Sequence, residues 1–313
     1  MQRISVLLCT YRRQSVVETL ASLARLRAPE GCFINIIVAD NDARPSAEHL
    51  VREEPGSWPV TYVHAPAANI SVARNACLSI ARQRGSDWIA FIDDDEIAPE
   101  DWLLQLMACA SDGQADVVSG PTLTRYPADA PAWMVAQDWH SNWPEIRRSA
   151  TGEISPRQTA HSCNALVRFC GTPWRDVEFD LKRGTSGGED TAYFFALSAR
   201  GATFAVNPDA VVEEDVSADR LTLAWLARRR YRMGQSYASG SSGWAAKSRL
   251  IVLALAKVIY CLCAALMNGM SEGRRNYWIL RGLLHVGVLS GCAALPQPQI
   301  YGQSNQSVRA PGE

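Results

Sequence analysis

The sequence predicts an α/β fold, with parallel strands flanked by helices. Three observations predict it. Short apolar runs of strand length alternate with segments of helical periodicity through the first hundred residues. Most of those runs are apolar throughout, as in strands buried on both faces. The polar clusters CTYRR, DND and DDDE each follow a strand candidate, at the carboxyl edge where open α/β sheets bind ligands.

The strand candidates are ISVLLC (4–9), INIIVA (34–39), VTYVH (60–64) and WIAFI (88–92). Between the first two, Val16, Leu20 and Leu23 share one helical face. Between the third and fourth, Val72, Ala76 and Ile80 recur at i+4, which predicts a second helix buried on that face. Strand–helix–strand alternation implies right-handed crossovers. Pro99 opens a helix after DDDE, residues 121–160 are rich in Pro and Trp, and Thr191 to Arg200 reads as a helix. Beyond Arg220 the chain turns basic and apolar, and its last dozen residues are polar and loose. The division expected is 1–218 catalytic (1–95 nucleotide-binding, 96–218 acceptor-binding), 219–295 a basic, apolar helical region, and 296–313 a flexible tail.

At 313 residues the chain can bury a large core. Its net charge of −1 hides an asymmetry: from Arg220 to Ser290 eleven Lys/Arg face the single acid Glu272, leaving the rest acidic. Such a region suits an anionic partner. Nine scattered cysteines without CxxC pairs argue against a disulfide framework or a zinc site and fit a reducing compartment. The apolar part of MQRISVLLCTYRR is too short for a signal peptide and reads as the first strand.

In FIDDDE, Asp93 and Asp95 lie on a short turn after a strand. Crowded carboxylates repel unless a cation sits among them. Mg²⁺ takes one or two protein carboxylates plus substrate phosphates; a solvated acidic turn is the plain alternative. A calcium loop from Asp93 fails, because Ile97 and Ala98 stand where it needs an oxygen ligand and a Gly. A phosphatase-type nucleophile lacks companion motifs.

SVLLCTYRR, VADND, NISVARNACLSIA, FIDDDE, GGED and RRRYRMGQ occur in the order seen in glycosyltransferase family 2. The chain resembles the inverting, nucleotide-sugar-dependent GT-A enzymes, and most of all bacterial exopolysaccharide glycosyltransferases of the succinoglycan-assembly type. The resemblance covers about residues 3–235 and implies a Rossmann-like mixed sheet with a C-terminal helical extension. It also implies roles. Thr10, Tyr11 and Asp40 would line the base and ribose, and Arg74 and Asn75 would face the nucleotide. Asp93 and Asp94 would contact the nucleotide sugar. Asp95 would ligate Mg²⁺ or Mn²⁺, with Asp93 on ribose or metal. Asn69 stands where relatives often carry Gly, at a turn where Asn tolerates a left-handed backbone.

By the same resemblance Asp190 is the base that takes the acceptor proton, with Glu189 beside it and Gly187 and Gly188 admitting close ligand approach. Many relatives carry a metal- or diphosphate-binding His where this chain has Glu214, an acid that still ligates a hard cation. Arg228, Arg229, Arg230 and Arg232, with Gln235, match a segment facing diphosphate or acceptor phosphate. Trp133, Trp139 and Trp143 either stack on acceptor sugars or anchor a core. Asn164 matches an acceptor-half Asn without an assigned role.

The apolar stretches 250–267 and 277–295 are interrupted by Lys257 and by Arg281 and His285. Interrupted helices in a basic region suit the surface of an anionic leaflet better than a span. The expected enzyme moves a sugar, glucose by resemblance, from a UDP-sugar to a polyprenyl-diphosphate-linked oligosaccharide at the cytoplasmic face of the inner membrane. A non-catalytic nucleotide-sugar-binding or scaffold protein of the same fold is the alternative. Nucleic acid is not expected, because the basic charges interleave with aliphatic runs.

Overall fold

The computed structural model describes residues 1–53, 56–112, 115–142, 160–239 and 243–296. Its strands are β1 (Gln2–Thr10), β2 (Cys32–Asp40), β3 (Val60–His64), β4 (Trp88–Asp93), β5 (Glu96–Ile97), β6 (Val117–Ser119), β7 (Thr122–Arg125), β8 (Asn164–Arg168), β9 (Phe204–Val206) and β10 (Val212–Asp215). Its helices are α1 (Val16–Leu23), α2 (Glu48–Glu53), α3 (Ile70–Gln83), α4 (Trp102–Asp112), α5 (Ala132–Gln137), α6 (Glu189–Ser198), α7 (Leu223–Ser239), α8 (Trp244–Met267) and α9 (Glu272–Cys292). They fall into two compact units. The first holds Met1–Leu123 and the described residues from Ser141 to Glu214; the second holds Thr124–His140 and the described residues from Asp215.

In the first unit a seven-stranded sheet runs in the order β3-β2-β1-β4-β8-β6-β9. β3, β2, β1 and β4 are parallel, as expected. β8 runs against both β4 and β6, so the whole sheet is mixed. Ile4, Val6 and Leu8 of β1 pack under Val16, Leu20 and Leu23 of α1 and Trp102, Leu103 and Leu106 of α4. Leu7 points to the other face, with Ile37, Ala39, α3 and α6. The strands are buried on both faces because helices cover both, and each buried aliphatic side chain contributes about 1.5–3 kcal/mol.

α3 buries a different face from the one its sequence suggested. Val72, Ala76 and Ile80 are only half-buried; Ala73, Cys77, Leu78 and Ala81 lie against the sheet. Small residues let the helix approach closely enough for Cys77 Sγ to reach the carbonyls of Leu8 (3.8 Å) and Ile37 (3.7 Å). Packing distance, not side-chain size, chose the buried stripe. Asn69 is likewise extended (φ −139°) and caps α3 by accepting the Ser71 amide (3.0 Å), while Ala68 takes the left-handed turn (φ 46°). After the acid turn the chain first forms β5, which pairs antiparallel with β10, and the helix begins at Trp102.

In the second unit α9 packs against both α7 and α8. Trp133 and Trp139 join Met134, Leu226 and Leu280 in its apolar cluster, and the Trp139 indole donates to Gln137 Oε1 (2.7 Å). These two tryptophans act as core anchors. Trp143 and the tail from 297 lie outside the described residues.

Candidate active site

The carboxyl ends of β1 and β4 meet at the acid turn. Cys9 is paired with Asp93 across the two strands, so Thr10 and Tyr11 emerge beside the carboxylates. Thr10 Oγ1 donates to Asp94 Oδ2 (2.7 Å). Arg13, to which the sequence assigned no role, pairs with Asp95 and lies 3.3 Å from Asp94. Below the turn, buried Glu96 accepts the Asp93 amide at Oε2 (2.8 Å) and the Thr122 hydroxyl at Oε1 (3.1 Å). These two bonds bend the turn and hold Asp93 at the rim.

Packing acids together has an electrostatic cost. Burial first, then Asp95 and Asp94, push the Asp93 carboxyl up to about 7 against the pull of Arg74. Asp93 keeps 41% of its side-chain surface exposed, so water tempers that shift. Burial likewise raises Asp94 to about 6, and it lifts Glu96 well above the ordinary range. A cation at the turn relieves this repulsion, and the Arg13 guanidinium already sits against two of the three aspartates.

The second acidic pair opens α6. Gly187 (φ 88°) and Gly188 (φ 83°) adopt a left-handed conformation that L side chains resist, and they turn the chain into the helix. Glu189 is buried, and its Oε1 accepts from Arg74 Nη1 at 2.7 Å. Arg74 also approaches Asp93 Oδ1 at 3.7 Å, so one guanidinium spans both acidic motifs. Its charge persists because Glu189 and Asp93 outweigh burial. Asp190 accepts the Thr191 amide (2.6 Å) and lies 3.5 Å from His161 Nδ1. Burial works to raise its carboxyl, but His161, Arg74 and the amide hold it down at about 2.

The remaining expected residues are placed as follows. Tyr11 is half-buried, with Arg12 over its ring (5.1 Å). Asp40 is buried, its two oxygens taken by the amides of Asp42 (3.0 Å) and Ala47 (2.8 Å) and by the Tyr62 hydroxyl (2.9 Å). It shapes the loop after β2, where Asp42 pairs with Arg12 (2.8 Å). Asn75 spends both ends of its amide on the Phe179 backbone (2.8 and 3.0 Å). Ser71 bonds the Asp180 carbonyl, Asn69 the Leu181 carbonyl and Arg82 the Arg175 carbonyl, so α3 fastens the segment leading to Gly187. Asn164 accepts from the Trp102 indole (2.9 Å) and donates to the carbonyls of Pro121 and Ala210 (2.9 and 2.7 Å), a fastening role. Glu214, opposite Glu96 on β10, adds to the negative charge beneath the turn.

Arg229, Arg232 and Gln235 belong to the second unit. Gln235 is buried and donates to Ser290 Oγ (3.0 Å), joining α7 to α9. Arg229 lies over Trp225 (5.3 Å) and Arg230 over Trp139 (4.7 Å); Arg228 bonds the Ala224 carbonyl (3.3 Å), and Arg232 is half-buried.

Sequence reasoning missed Arg13, Glu96 and His161. Glu96 was visible as the fourth acid of DDDE, but its bonds to Asp93 and Thr122 depend on the turn. Nothing in the sequence signals that His161 meets an acid 29 positions away.

A mixed sheet with an acid turn at the end of β4 and a glycine-led acid pair at the start of α6 defines a glycosyltransferase of the GT-A type. The chain belongs to glycosyl transferase family 2, whose model matches residues 5–169, and is a nucleotide-sugar-dependent enzyme. It is 42% identical to the succinoglycan biosynthesis protein ExoM of Rhizobium meliloti (strain 1021) over 304 residues, 96% of each chain. Among solved structures it resembles the mannosyltransferase PcManGT of Pyrobaculum calidifontis, in complex with GDP-Man and Mn²⁺. That match has a TM-score of 0.62 at 17% identity and covers 92% of this chain and 86% of that one. It also resembles S. aureus TarS 1–349 in complex with UDP-GlcNAc (TM-score 0.52, 13% identity, 94% and 93% covered). In a longer TarS structure the chain spans 55% of the length. At such identities these structures speak for the fold.

Proposed function

We propose that this enzyme transfers a sugar, glucose, from a UDP-sugar to a lipid-linked oligosaccharide during exopolysaccharide assembly, inverting the anomeric carbon. The observation that carries the reading is Arg74, whose guanidinium ties the acid turn to the Glu189–Asp190 pair. Relatedness to a succinoglycan biosynthesis protein supports the pathway class, and complexes of structural neighbours with UDP-GlcNAc and GDP-Man support a nucleotide-sugar donor.

The donor set fits Mg²⁺ or Mn²⁺. Asp93 and Asp95 offer hard oxygen ligands, and the turn already accommodates the cationic Arg13. Among the described residues no three His, Cys, Asp or Glu side chains group as a metal cage, and a donor diphosphate would supply further oxygens beside Asp93 and Asp95. When bound, the cation supplies positive charge to the departing diphosphate. Thr10 keeps Asp94 turned inward, and Glu96 keeps Asp93 at the rim. Tyr11 and the loop after β2, shaped by Asp40, line the nucleoside. Asp190, ionised at neutral pH, takes the acceptor hydroxyl proton as the oxygen attacks, a contribution of about 10²–10⁴-fold.

The test is transfer from radiolabelled UDP-glucose to a bacterial lipid extract, with GDP-, CDP- and dTDP-sugars in parallel. Label in the lipid fraction, lost with EDTA and with Asp95→Ala, is expected. Transfer from another nucleotide sugar alone would replace the donor assignment. UDP with Mn²⁺ should also stabilise the protein by about 2.7 kcal/mol at one hundred times its Kd.

A further inference from the structure

We propose that α8 is a docking surface that lies in the plane of an anionic bilayer. The surface stands independently of the donor and acceptor assigned above.

The 24-residue helix α8 is long and apolar enough to cross a membrane, yet only 17% of its apolar window is buried. Its buried residues are Ala254, Cys261 and Ala265, one narrow stripe of small side chains. That stripe meets α9: Cys261 lies against Gly282, and Tyr260 packs edge-on to Trp278 (5.3 Å). Opposite it the helix presents Val252, Leu255, Ile259, Leu262 and Leu266, with Ile259, Leu262 and Leu266 at 62%, 60% and 75% exposure. The span from Val252 to Leu266 is about 21 Å at 1.5 Å per residue. Soluble monomers rarely leave a continuous aliphatic stripe of that length in water.

Charge selects the occupant. The surrounding region carries eleven Lys/Arg against one acid. Lys247 and Arg249 lie to either side of the stripe near its amino-terminal end, Lys257 is exposed on the opposite face, and Trp244 stands 88% exposed at the start of the helix. Aliphatic centre, basic flank and terminal Trp form the pattern of a helix bedded at the headgroup boundary of an anionic leaflet. Pairing two copies through this face would bring two strongly basic units together. A spanning α8 would have to abandon α9 and carry Lys257 into hydrocarbon.

The experiment is sedimentation of the full chain with phosphatidylcholine vesicles, with and without phosphatidylglycerol. The comparison variant is Ile259→Glu/Leu262→Glu, both exposed positions, with folding checked by circular dichroism. We expect pelleting with the anionic vesicles only, release by alkaline carbonate, and at least a tenfold weaker association of the variant. A second arm, Lys247→Gln/Arg249→Gln, should weaken binding while leaving the aliphatic face intact. Equal binding to neutral vesicles, unchanged binding of the Glu variant, or resistance to carbonate would overturn the proposal. So would a dimer in light scattering that the Glu variant breaks in the absence of vesicle binding.

Discussion

Arg74 Nη1 lies 2.7 Å from Glu189 Oε1, and its second amino group lies 3.7 Å from Asp93 Oδ1. The acid turn and the start of α6 are 96 residues apart in sequence, and this side chain joins them electrostatically. Arg74→Ala leaves Glu189 buried without its counter-charge. We expect a loss of roughly 3–5 kcal/mol in chemical denaturation, the cost of breaking a buried pair. Arg74→Lys should recover part of that stability but little of kcat, because an ammonium lacks the fork that reaches both acids.

Asp190 sets a prediction in pH. Its folded value, about 2, lies below the ordinary carboxylate value near 3.9. Its stabilisation is therefore present above the unfolded value and lost as pH falls toward 2. His161→Gln removes the partner that lowers it, so the carboxyl rises. The acid limb of kcat/KM should shift upward relative to wild type. Asp190→Asn should reduce transfer by at least 10²-fold while UDP binding, read by calorimetry, stays within twofold.

Gly184 packs where a Cβ would collide with Asn69 Oδ1 and crowd Ser71 Oγ. Asn69 Oδ1 caps α3, Ser71 Oγ donates to the Asp180 carbonyl, and the Ile70 amide donates to the Gly184 carbonyl (3.1 Å). Gly184→Ala should destabilise by about 1–3 kcal/mol, as overpacking does. It should also lower kcat more than it raises KM, since the displaced segment leads to Asp190.

The second unit has its own acid sensitivity. His140 is buried, stacked on Trp225 (5.4 Å), 3.2 Å from the Tyr126 hydroxyl and 3.2 Å from the Arg220 carbonyl. Burial, then Arg229 and Arg220, lower its pKa to about 4. Between pH 6.5 and 4 the unfolded chain binds a proton that the folded chain refuses, so stability falls on the order of 3 kcal/mol across that window. His140→Gln should flatten this part of the urea-midpoint profile against pH.

Much of the fold was legible because the strands are short, apolar and bounded by polar clusters. β1 to β4 fall where the runs predict, and Val16, Leu20 and Leu23 are the buried face of α1. α3 was misread because periodicity weighs large side chains, whereas the contact with the sheet was built from Ala73, Cys77 and Ala81. At the site, residue type revealed the acids but not their duties. Asp40 and Asn75 match a ligand-binding motif, and in the fold their polar atoms also bond the protein's own groups. Roles set by partners distant in sequence, such as His161 beside Asp190, exist only once the chain has folded.

The packing of α3 bears on how such an enzyme can change its substrate. One rigid helix holds Arg74 between the two acidic motifs and, through Asn69, Ser71, Asn75 and Arg82, grips the segment that delivers Asp190. The helix is a ruler, and the spacing between the acid turn and Asp190 is read off it. The loops after β1 and β2, assigned above to the nucleoside, lie off that ruler. They can drift in sequence and acquire new donors while the reactive distance is inherited unchanged.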